Sequence, residues 1–280
     1  MSSVKATKED QPSLGRDPSL SLTVVAAMLN EREQLESWLE NLTWVDNIII
    51  VDHGSSDGSL EFISDHPLCK CVSAPRGEGL IEDIRSFGLS EVQTGWVLVL
   101  DMDERVTEKL RDEILELIKS EPEEDGFRIP FSHFVLGRWL KHGGWDDKHL
   151  RLFRAGKGHY TPGKIHADAN VEGEIGLLAG CILHFAHPTI HDFLMRMNRY
   201  TTQSAKTLAS GEPGGLRKRV RLPESRWRWF HASASFFWTR YVKHRGFRDG
   251  MAGFIIAFLL AAYLFVEQAK AWEFMRENRS

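Results

Sequence analysis

Short apolar runs alternate with amphipathic segments from Leu20 onward. The apolar runs are nearly continuous in Val, Ile and Leu, which is typical of strands buried on both faces of a parallel sheet, and the segments between them have helical periodicity. The predicted strands are Leu22–Met28, Asn47–Asp52, Cys69–Ala74 and Trp96–Asp101. The predicted helices are Glu31–Asn41, Ser59–His66, Ile81–Gln93 and Thr107–Ser120. This order of elements predicts an α/β half-sheet.

The alternation of strands and helices ends after Pro122, where short strand-like segments are separated by glycine-rich loops. The predicted strands here are Gly126–Phe131, His149–Phe153 and Gly180–Phe185, and a long helix is predicted over Thr189–Leu208. We expect this portion to complete a mixed, mainly parallel sheet and to cover its edge. The sequence therefore predicts a disordered tail at 1–20, a domain at 21–210 with halves at 21–121 and 122–210, a linker at 211–225 and a helical extension at 226–280.

The predicted extension begins with Arg226–Arg248, which interleaves aromatic and basic residues as in segments that lie at the headgroups of an anionic bilayer. The stretch Gly250–Val266 that follows has no charged residue, but it is shorter than the roughly 20 residues that span a hydrocarbon core. We expect peripheral membrane association, with an in-plane or re-entrant helix, a short membrane helix or an oligomer contact as the open alternatives. A soluble helical hairpin packed on the domain is a further alternative.

Composition and charge indicate the cellular compartment of the protein and limit the classes of partner it could bind. The 280 residues carry a net charge of -4 and have a pI of about 6.3, so no overall basic field favours nucleic-acid binding. The three cysteines are too few for a disulfide framework, which favours a reducing compartment. The first twenty residues contain no apolar run of the kind a signal peptide requires. We expect the bulk of the chain to lie in the cytoplasm.

Two carboxylates, Asp101 and Asp103, follow the apolar run that begins at Trp96. Ligands of open α/β sheets bind at the carboxyl ends of the strands, and two such carboxylates would suit Mg²⁺ or Mn²⁺ shared with substrate phosphates. Asp103 and Glu104 would instead be explained by the dipole of a following helix, which favours acids at its N-terminus.

A similar arrangement follows the second predicted strand, where Asp52 precedes a loop of small residues. Such a loop can approach a nucleotide closely, and Asp52 would accept hydrogen bonds from a base or a ribose. A plain strand-to-helix turn with Asp57 as the helix N-cap explains the same residues.

The order and spacing of four segments resemble family 2 glycosyltransferases. The series is Ala27–Glu31, Val51–Asp57, Gly95–Glu104 and then Gly143–Arg154, and the last segment resembles the lipopolysaccharide-core β-glucosyltransferase branch of that family. Asn198–Thr201 and Phe247–Gly250 are similar to the same branch. The resemblance implies a GT-A fold and an inverting hexosyltransferase that moves a sugar from a nucleotide-diphosphate donor, expected to be a UDP-sugar, to a hydroxyl.

The resemblance also implies roles for individual residues in donor binding. Asn30, Glu31 and Asp52 would contact the donor nucleotide, and Arg85 falls near the family's basic donor-contacting position. Asp101 and Asp103 would hold the diphosphate through Mn²⁺ or Mg²⁺. The half at 21–121 would bind the nucleotide and the half at 122–210 the acceptor.

An inverting reaction requires a base that takes the proton of the acceptor hydroxyl. The resemblance makes Asp147 the first candidate, because it stands four residues before Arg151 as the family's acid does, and Asp146 is the alternate. Trp145, Arg151 and His166 are expected on the acceptor side. The sequence departs from the family at His53, which replaces the second Asp of a pair, and at Ala167, where the branch has Glu.

The expected acceptor is a lipid-linked saccharide or a lipopolysaccharide core, reached from the cytoplasmic face of the inner membrane. Two other functions remain open. A non-catalytic protein that only binds nucleotide sugars would explain the departures at His53 and Ala167, and a phosphatase would use Asp101 as its nucleophile. The phosphatase motif continues differently, because Arg105 stands where that class has Thr or Val.

Overall fold

The computed structural model describes residues 17–74, 81–161, 168–211 and 226–277. Residues 1–16 of the predicted tail and residues 212–225 of the predicted linker therefore lie outside the described residues. The strands are β1 (Leu22–Met28), β2 (Asn47–Asp52), β3 (Cys69–Ser73), β4 (Trp96–Val99), β5 (Glu104–Val106), β6 (Gly126–Val135), β7 (Arg138–Trp139), β8 (Lys148–Arg154), β9 (Gly158–His159), β10 (Asn170–Val171), β11 (Ile175–Leu177) and β12 (Ile182–His187). The helices are α1 (Arg32–Glu40), α2 (Ser59–Ile63), α3 (Ile81–Ser90), α4 (Glu108–Ser120), α5 (Ile190–Ala209), α6 (Arg226–Trp238) and α7 (Gly250–Glu277).

Two compact units interleave along the chain. The described residues of the first lie within 1–102, 112–128 and 150–177, and those of the second lie within 103–111, 129–149 and 178–280. The sequence-based halves were consecutive segments, whereas each observed unit is assembled from three separate segments. Pairing between strands that are distant in sequence produces this interleaving, and a hydrophobic pattern along the chain does not report such pairing.

The first unit contains the predicted α/β half-sheet. Its strands lie in the order β3-β2-β1-β4-β8; the first four are parallel, and β8 runs antiparallel to β4. Every residue of β4 is buried, and so is all of β1 except Ala27, as expected for strands covered on both faces. The parallel register aligns Met28 with Asp52, so the carboxyl ends of β1, β2 and β4 meet at one edge of the sheet.

The second unit combines a small sheet with a helical layer. Strand β12 pairs in parallel with the later part of β6 and antiparallel with β5, and β7 folds back on β6. Helix α5 begins at a capped position, because the side chain of Thr189 accepts a hydrogen bond from the backbone N–H of Asp192. Helix α7 packs against both α5 and α6. Its buried face contains Ala252, Ile256, Ala257, Leu260, Ala261 and Leu264.

Strand β5 was not predicted, and it decides between two interpretations of the acidic residues. Helix α4 begins at Glu108, after β5, so Asp103 and Glu104 do not occupy the first turn of a helix. Glu104 is itself nearly inaccessible and lies opposite His184 in the β5–β12 pairing. The explanation of these acids by the dipole of the following helix is therefore wrong.

The helix extends beyond the uncharged stretch. That stretch ends at Val266, whereas the helix ends at Glu277, because Glu267, Gln268 and Ala271 continue the buried face beyond the apolar run. Among the described residues, the stretch Gly246–Arg276 alone has the length and composition to cross a membrane, and 39% of its most apolar window is buried. One such helix is weak evidence, because a core helix of a soluble protein meets the same criteria.

Candidate active site

Asp101 stands just beyond the end of β4 and is held by two arginines of the first unit. Nη2 of Arg85, on α3, lies 2.5 Å from both carboxylate oxygens of Asp101. Nη2 of Arg151, on β8, donates to Oδ2 of Asp101 at 3.4 Å. The backbone carbonyl of Asp101 accepts a hydrogen bond from the indole of Trp38 at 2.9 Å. Two cationic groups thus converge on one carboxylate at the edge where ligands of α/β sheets bind.

Arg85 is a buried cation rather than a surface one. Burial disfavours its charge, but the neighbouring Asp101 outweighs burial, so the pKa of Arg85 is raised further above its ordinary value. Its guanidinium carbon also lies 5.7 Å from the centre of the Tyr160 ring. Its Nε is buried and has no hydrogen-bond partner among the described residues. A buried cation with one unused donor suits an additional anionic group.

The other donor-side candidates form a network between the ends of β1 and β2. Asn30 has a positive φ of 58°; its backbone N–H donates to Ser55 Oγ, and its Oδ1 accepts from the N–H of Ser56. The N–H of Glu31 donates to Ser59 Oγ at 3.1 Å. The carboxylate of Asp52 is almost fully buried and accepts hydrogen bonds from the N–H groups of Gly54 and Ser55. Asp52 therefore shapes the loop that follows β2.

The first unit also has an open cleft of about 540 Å³ at these loops. Its lining residues come from the end of β1, the start of α1 and the loop before α2: Asn30, Glu31, Arg32, Glu33, Gln34, Ser56 and Asp57. The cleft thus includes two of the predicted donor contacts, although neither Asp52 nor Asp101 is part of its lining. Asp57 does not cap α2, whose N-cap is Gly58; it accepts hydrogen bonds from the N–H groups of Arg32 and Ser59.

In the second unit, Asp103 is surrounded by side chains of α5 and β12. Nη1 of Arg196 donates to Oδ2 of Asp103 at 3.1 Å, and Nε2 of His184 lies 3.7 Å from the same oxygen. The backbone carbonyl of Asp103 accepts from the N–H of Phe185 at 2.8 Å. Asp103 is thus held in place by contacts of both its backbone and its side chain.

Asp147, the first candidate for the base, is held by two imidazoles in the second unit. Its Oδ1 lies 2.7 Å from Nε2 of His133, and its Oδ2 lies 2.7 Å from Nε2 of His149. Burial opposes the charge of this carboxylate, but the hydrogen bonds from His133 and His149 outweigh burial and hold the pKa of Asp147 well below its usual range. Asp147 is therefore ionised near neutral pH and has a fixed orientation.

The two acidic centres of the second unit are linked through histidines. Nδ1 of His133 lies 3.0 Å from Nδ1 of His184, so a run of short contacts connects Asp147 through His133 and His184 to Asp103. The ring of His149 stands edge-on to Phe131 at 4.9 Å between centres. Asp147 and Asp103 thus share one network within this unit.

Trp145 is partly buried and packs against other residues of the second unit. The guanidinium of Arg240 lies 4.7 Å from the centre of its ring, and the His133 ring lies 5.2 Å away. Trp145 also contacts the apolar cluster around Leu140 and Ile256. Asp146, the alternate base, is exposed. Its neighbour Asp147 is therefore the more constrained of the two carboxylates.

The structure bears differently on the two remaining acceptor-side candidates, Arg151 and His166. Arg151 was expected on the acceptor side, whereas its side chain reaches Asp101 in the first unit. His166 lies outside the described residues, as does Ala167. The sequence did not single out His133, His149 or Arg196, although His149 lies inside the motif that suggested Asp147. Their importance becomes visible only in the structure, where His133 and His149 contact Asp147 and Arg196 contacts Asp103.

The described residues contain no cluster of three or more His, Cys, Asp or Glu side chains arranged to hold a metal ion. Mg²⁺ is commonly bound by one or two carboxylates that share it with substrate phosphates, and such a site needs no protein-only cage. Asp101 and Asp103, two positions apart in the chain, are the carboxylates that the sequence predicts for such a site. A metal ion at these carboxylates would compete for them with the basic side chains that now pair with them.

Comparison with known proteins assigns the family. Residues 23–168 match the model of glycosyl transferase family 2. The lipopolysaccharide core biosynthesis glycosyltransferase LpsC of Rhizobium meliloti is 28% identical over 265 residues, which cover 91% of this chain and 93% of LpsC. An uncharacterised glycosyltransferase of Rickettsia typhi is 25% identical over 254 residues, covering 86% and 82% of the two chains.

Among solved structures, S. aureus TarS 1–349 in complex with UDP-GlcNAc aligns with 91% of this chain and 89% of its own, at 14% identity and a TM-score of 0.46. The predicted α/β architecture with its mixed sheet is observed in the strands themselves, and the family model covers more than half of the 280 residues. The predicted fold class and enzyme class are confirmed, and the chain belongs to glycosyltransferase family 2 and has the GT-A type of fold.

Proposed function

We propose that this enzyme is an inverting glycosyltransferase that moves a sugar from a UDP-sugar to a hydroxyl of a lipid-linked saccharide or a lipopolysaccharide core. The observation that carries the proposal is the group around Asp101. A carboxylate at the end of β4, within the family-matched segment, is held by two arginines of which one is buried. Such a group supplies both a metal ligand and positive charge for a diphosphate.

Donor binding falls to the first unit and to the Asp101–Asp103 pair. Asn30 and Glu31 line the cleft between the ends of β1 and β2, and Asp52 fixes the neighbouring loop. Arg85 orients Asp101 and offers its unused Nε to an anionic group of the donor. Asp101 and Asp103 would hold Mg²⁺ or Mn²⁺, which offsets the charge that develops on the departing diphosphate.

Asp147 would act as the general base. Its carboxylate takes the proton of the acceptor hydroxyl while that oxygen forms a bond to the anomeric carbon of the sugar. The bond from this carbon to the diphosphate oxygen breaks, and the electron pair leaves with the diphosphate. Hydrogen bonds from His133 and His149 orient the carboxylate, and they also stabilise its charged form, so it is a weak base that needs close positioning.

The acceptor class is supported by the similarity to LpsC and by the apolar surface of the second unit. Several large apolar side chains of α6 and α7 are exposed, among them Trp227, Phe230, Phe254 and Phe258. A peripheral attachment through this surface would bring the enzyme to an acceptor that is itself anchored in the cytoplasmic leaflet. Helix α7 uses its other face for packing within the unit, which favours an in-plane arrangement over a lipid-surrounded span.

The test is donor binding and slow donor hydrolysis by the detergent-solubilised full chain, measured over a panel of nucleotide sugars with Mn²⁺, Mg²⁺ or EDTA. We expect one donor to bind in the presence of metal and lose most of its affinity in EDTA. Asp103→Asn should lose the same affinity, whereas Asp65→Asn, which changes an exposed acid after α2, should not.

Each alternative function gives a different result in this assay. Tight, metal-dependent binding without hydrolysis or transfer would support a protein that only binds nucleotide sugars. Absence of binding across the panel, combined with hydrolysis of a phosphate monoester that Asp101→Asn abolishes, would support a phosphatase and overturn the proposal.

A further inference from the structure

The loop between β7 and β8 carries both candidate bases and has little structure of its own. It contains Gly143 and Gly144 with backbone φ angles of 84° and 79°, which residues other than glycine rarely adopt. Two adjacent glycines leave a loop with large conformational freedom, and fixing such a loop has a cost in conformational entropy. Contacts from elsewhere must therefore hold Asp147 in place.

Arg240 supplies one set of these contacts from the segment after α6. Its Nη1 donates to the backbone carbonyls of both Gly143 and Gly144 at 2.7 Å, and its guanidinium lies over the ring of Trp145. The N–H of Gly143 in turn donates to the carbonyl of His244 at 2.8 Å. Arg240 lies in a π-helical turn, Thr239–Lys243, a form that is frequent at functional positions.

Asp249 supplies a second set from the residue that precedes α7. Its carboxylate accepts hydrogen bonds from the N–H groups of Lys141 and His142, at 3.3 and 2.9 Å, and lies 2.9 Å from Nδ1 of His142. The Asp249 side chain is only 7% exposed. Buried carboxylates that accept backbone N–H groups fix a chain segment strongly, because removing the acceptor leaves unsatisfied donors.

The contacts continue from this loop to the candidate base. Trp145 lies between Arg240 and His133, and His133 holds Oδ1 of Asp147. Displacement of Arg240 would therefore release the two glycine carbonyls and the Trp145 ring together. All of these residues belong to the second unit.

We propose that the C-terminal helical element positions the loop that carries the base, with Arg240 and Asp249 as the positioning residues. The element is thus part of the catalytic machinery in addition to its proposed role in attachment. This inference rests on the function proposed above, because it assumes that Asp147 activates the acceptor.

The test compares Arg240→Gln and Asp249→Asn with His231→Gln and Glu273→Gln, which change exposed residues of the same element outside its basic patch. The full chain is assayed for acceptor-dependent transfer and for donor binding. We expect kcat for transfer to fall at least tenfold in the first two variants while the donor Kd stays within about twofold, and we expect both control variants to behave as wild type. Arg240→Lys should recover only part of the loss, because a lysine ammonium can donate to the glycine carbonyls but lacks the planar guanidinium that lies over the Trp145 ring.

Hydrogen exchange provides a readout that does not depend on the proposed reaction. Amides of residues 141–147 should exchange faster in Arg240→Gln and Asp249→Asn, while amides of β1 keep their protection. Unchanged exchange in the loop, or an unchanged kcat in both variants, would overturn the inference. Faster exchange in the loop of a chain whose wild type transfers no sugar would uphold the positioning and refute only the proposed function.

Discussion

At the residue scale, Asp101 and Asp103 have different partners. Asp101 pairs with Arg85, whose side chain is 10% exposed, whereas Asp103 pairs with Arg196, whose side chain is 34% exposed. Removing one member of a buried ion pair leaves an uncompensated charge, while an accessible arginine returns to water. The two carboxylates should therefore contribute unequally to stability even though both are proposed metal ligands.

We predict that Asp101→Asn lowers the free energy of unfolding by roughly 2–4 kcal/mol, because it leaves Arg85 and Arg151 without their shared anion. Asp103→Asn should cost about 1 kcal/mol or less. Urea unfolding followed by circular dichroism measures both values in the full chain. Equal costs for the two variants would show that the arginines around Asp101 are not its dominant partners.

His187 predicts an acid-sensitive contribution to stability. Burial, together with Arg196 and His184, lowers the pKa of His187 to about 4 in the folded chain. Between about pH 6.5 and pH 4 the unfolded chain binds a proton at this site that the folded chain does not, so stability falls as the pH falls through that window. The loss is of the order of 3 kcal/mol at most and levels off below about pH 4.

The corresponding measurement is the thermal midpoint of wild type and His187→Gln at several pH values from 7 to 4. The variant should lose less stability than wild type on acidification, and the exposed His159→Gln should follow the wild-type curve. Parallel curves for wild type and His187→Gln would contradict the lowered pKa of His187 in the folded chain.

The sequence identified most of the acidic residues of the candidate site but few of their partners. Asp52, Asp101 and Asp103 follow short apolar runs, which makes them visible as residues at strand ends. His133, in contrast, lies in the later part of β6 and His184 in the middle of β12, where nothing in the local pattern distinguishes them from other strand residues. Their role depends on the pairing of β12 with β6, which is a long-range property.

At the scale of elements, α3 packs closely on the sheet through a glycine. A Cβ added at Gly88 would lie 2.6 Å from Cγ1 of Val25 and 2.8 Å from Cγ2 of Val51. Both valines are fully buried in the core of the first unit, so neither has room to move. Arg85 stands one helical turn before Gly88 on the same helix, so the position of this guanidinium depends on the same close approach.

We predict that Gly88→Ala destabilises the first unit by about 1–3 kcal/mol through overpacking, despite the better helix propensity of alanine. Donor affinity should fall as well, because a shift of α3 moves Arg85 away from Asp101. Ser90→Ala, at the end of the same helix, is the matched control, since among the described residues the Ser90 hydroxyl bonds only to the carbonyl of Phe87 in the preceding turn. An unfolding midpoint equal to wild type for Gly88→Ala would show that α3 is more loosely seated than the distances indicate.

The predicted elements of the first unit came close to the observed ones because its strands are buried on both faces and leave a continuous apolar signal. Strands β1 and β2 were predicted with the observed bounds. Strand β5 was missed because it has only three residues and includes Glu104 and Arg105, whose side chains contradict a strand pattern. Pairing with β12 forms this strand, and such pairing overrides local propensity.

At the scale of the whole molecule, the exposed apolar residues of the C-terminal element form a pattern. On α7 the exposed residues Met251, Phe258, Phe265 and Trp272 recur at intervals of seven, which places them along one side of the helix. Phe265 lies 6.0 Å from Phe230 on α6, so the exposed faces of the two helices adjoin. The turn between the helices exposes basic side chains, namely Lys243, His244, Arg245 and Arg248.

A contiguous apolar surface bordered by basic residues matches the requirements of an anionic membrane interface. Apolar burial supplies the larger part of the binding energy, at about 1.5–3 kcal/mol for a fully buried phenylalanine, and each basic residue near the surface adds about 1 kcal/mol. The chain as a whole carries a charge of -4, so attraction to such a membrane must come from this local patch and not from the net charge.

We therefore predict that the full chain sediments with vesicles of phosphatidylcholine and phosphatidylglycerol and that Phe258→Ser lowers its partition coefficient about tenfold. Leu177→Ser is the matched control, because Leu177 is equally exposed but belongs to the first unit, and this variant should bind as wild type does. High salt should weaken binding only in part, since the apolar contribution is not screened. If wild type stays in solution and Phe258→Ser instead changes the oligomeric state, then α7 is a contact between copies of the chain and the membrane assignment is wrong.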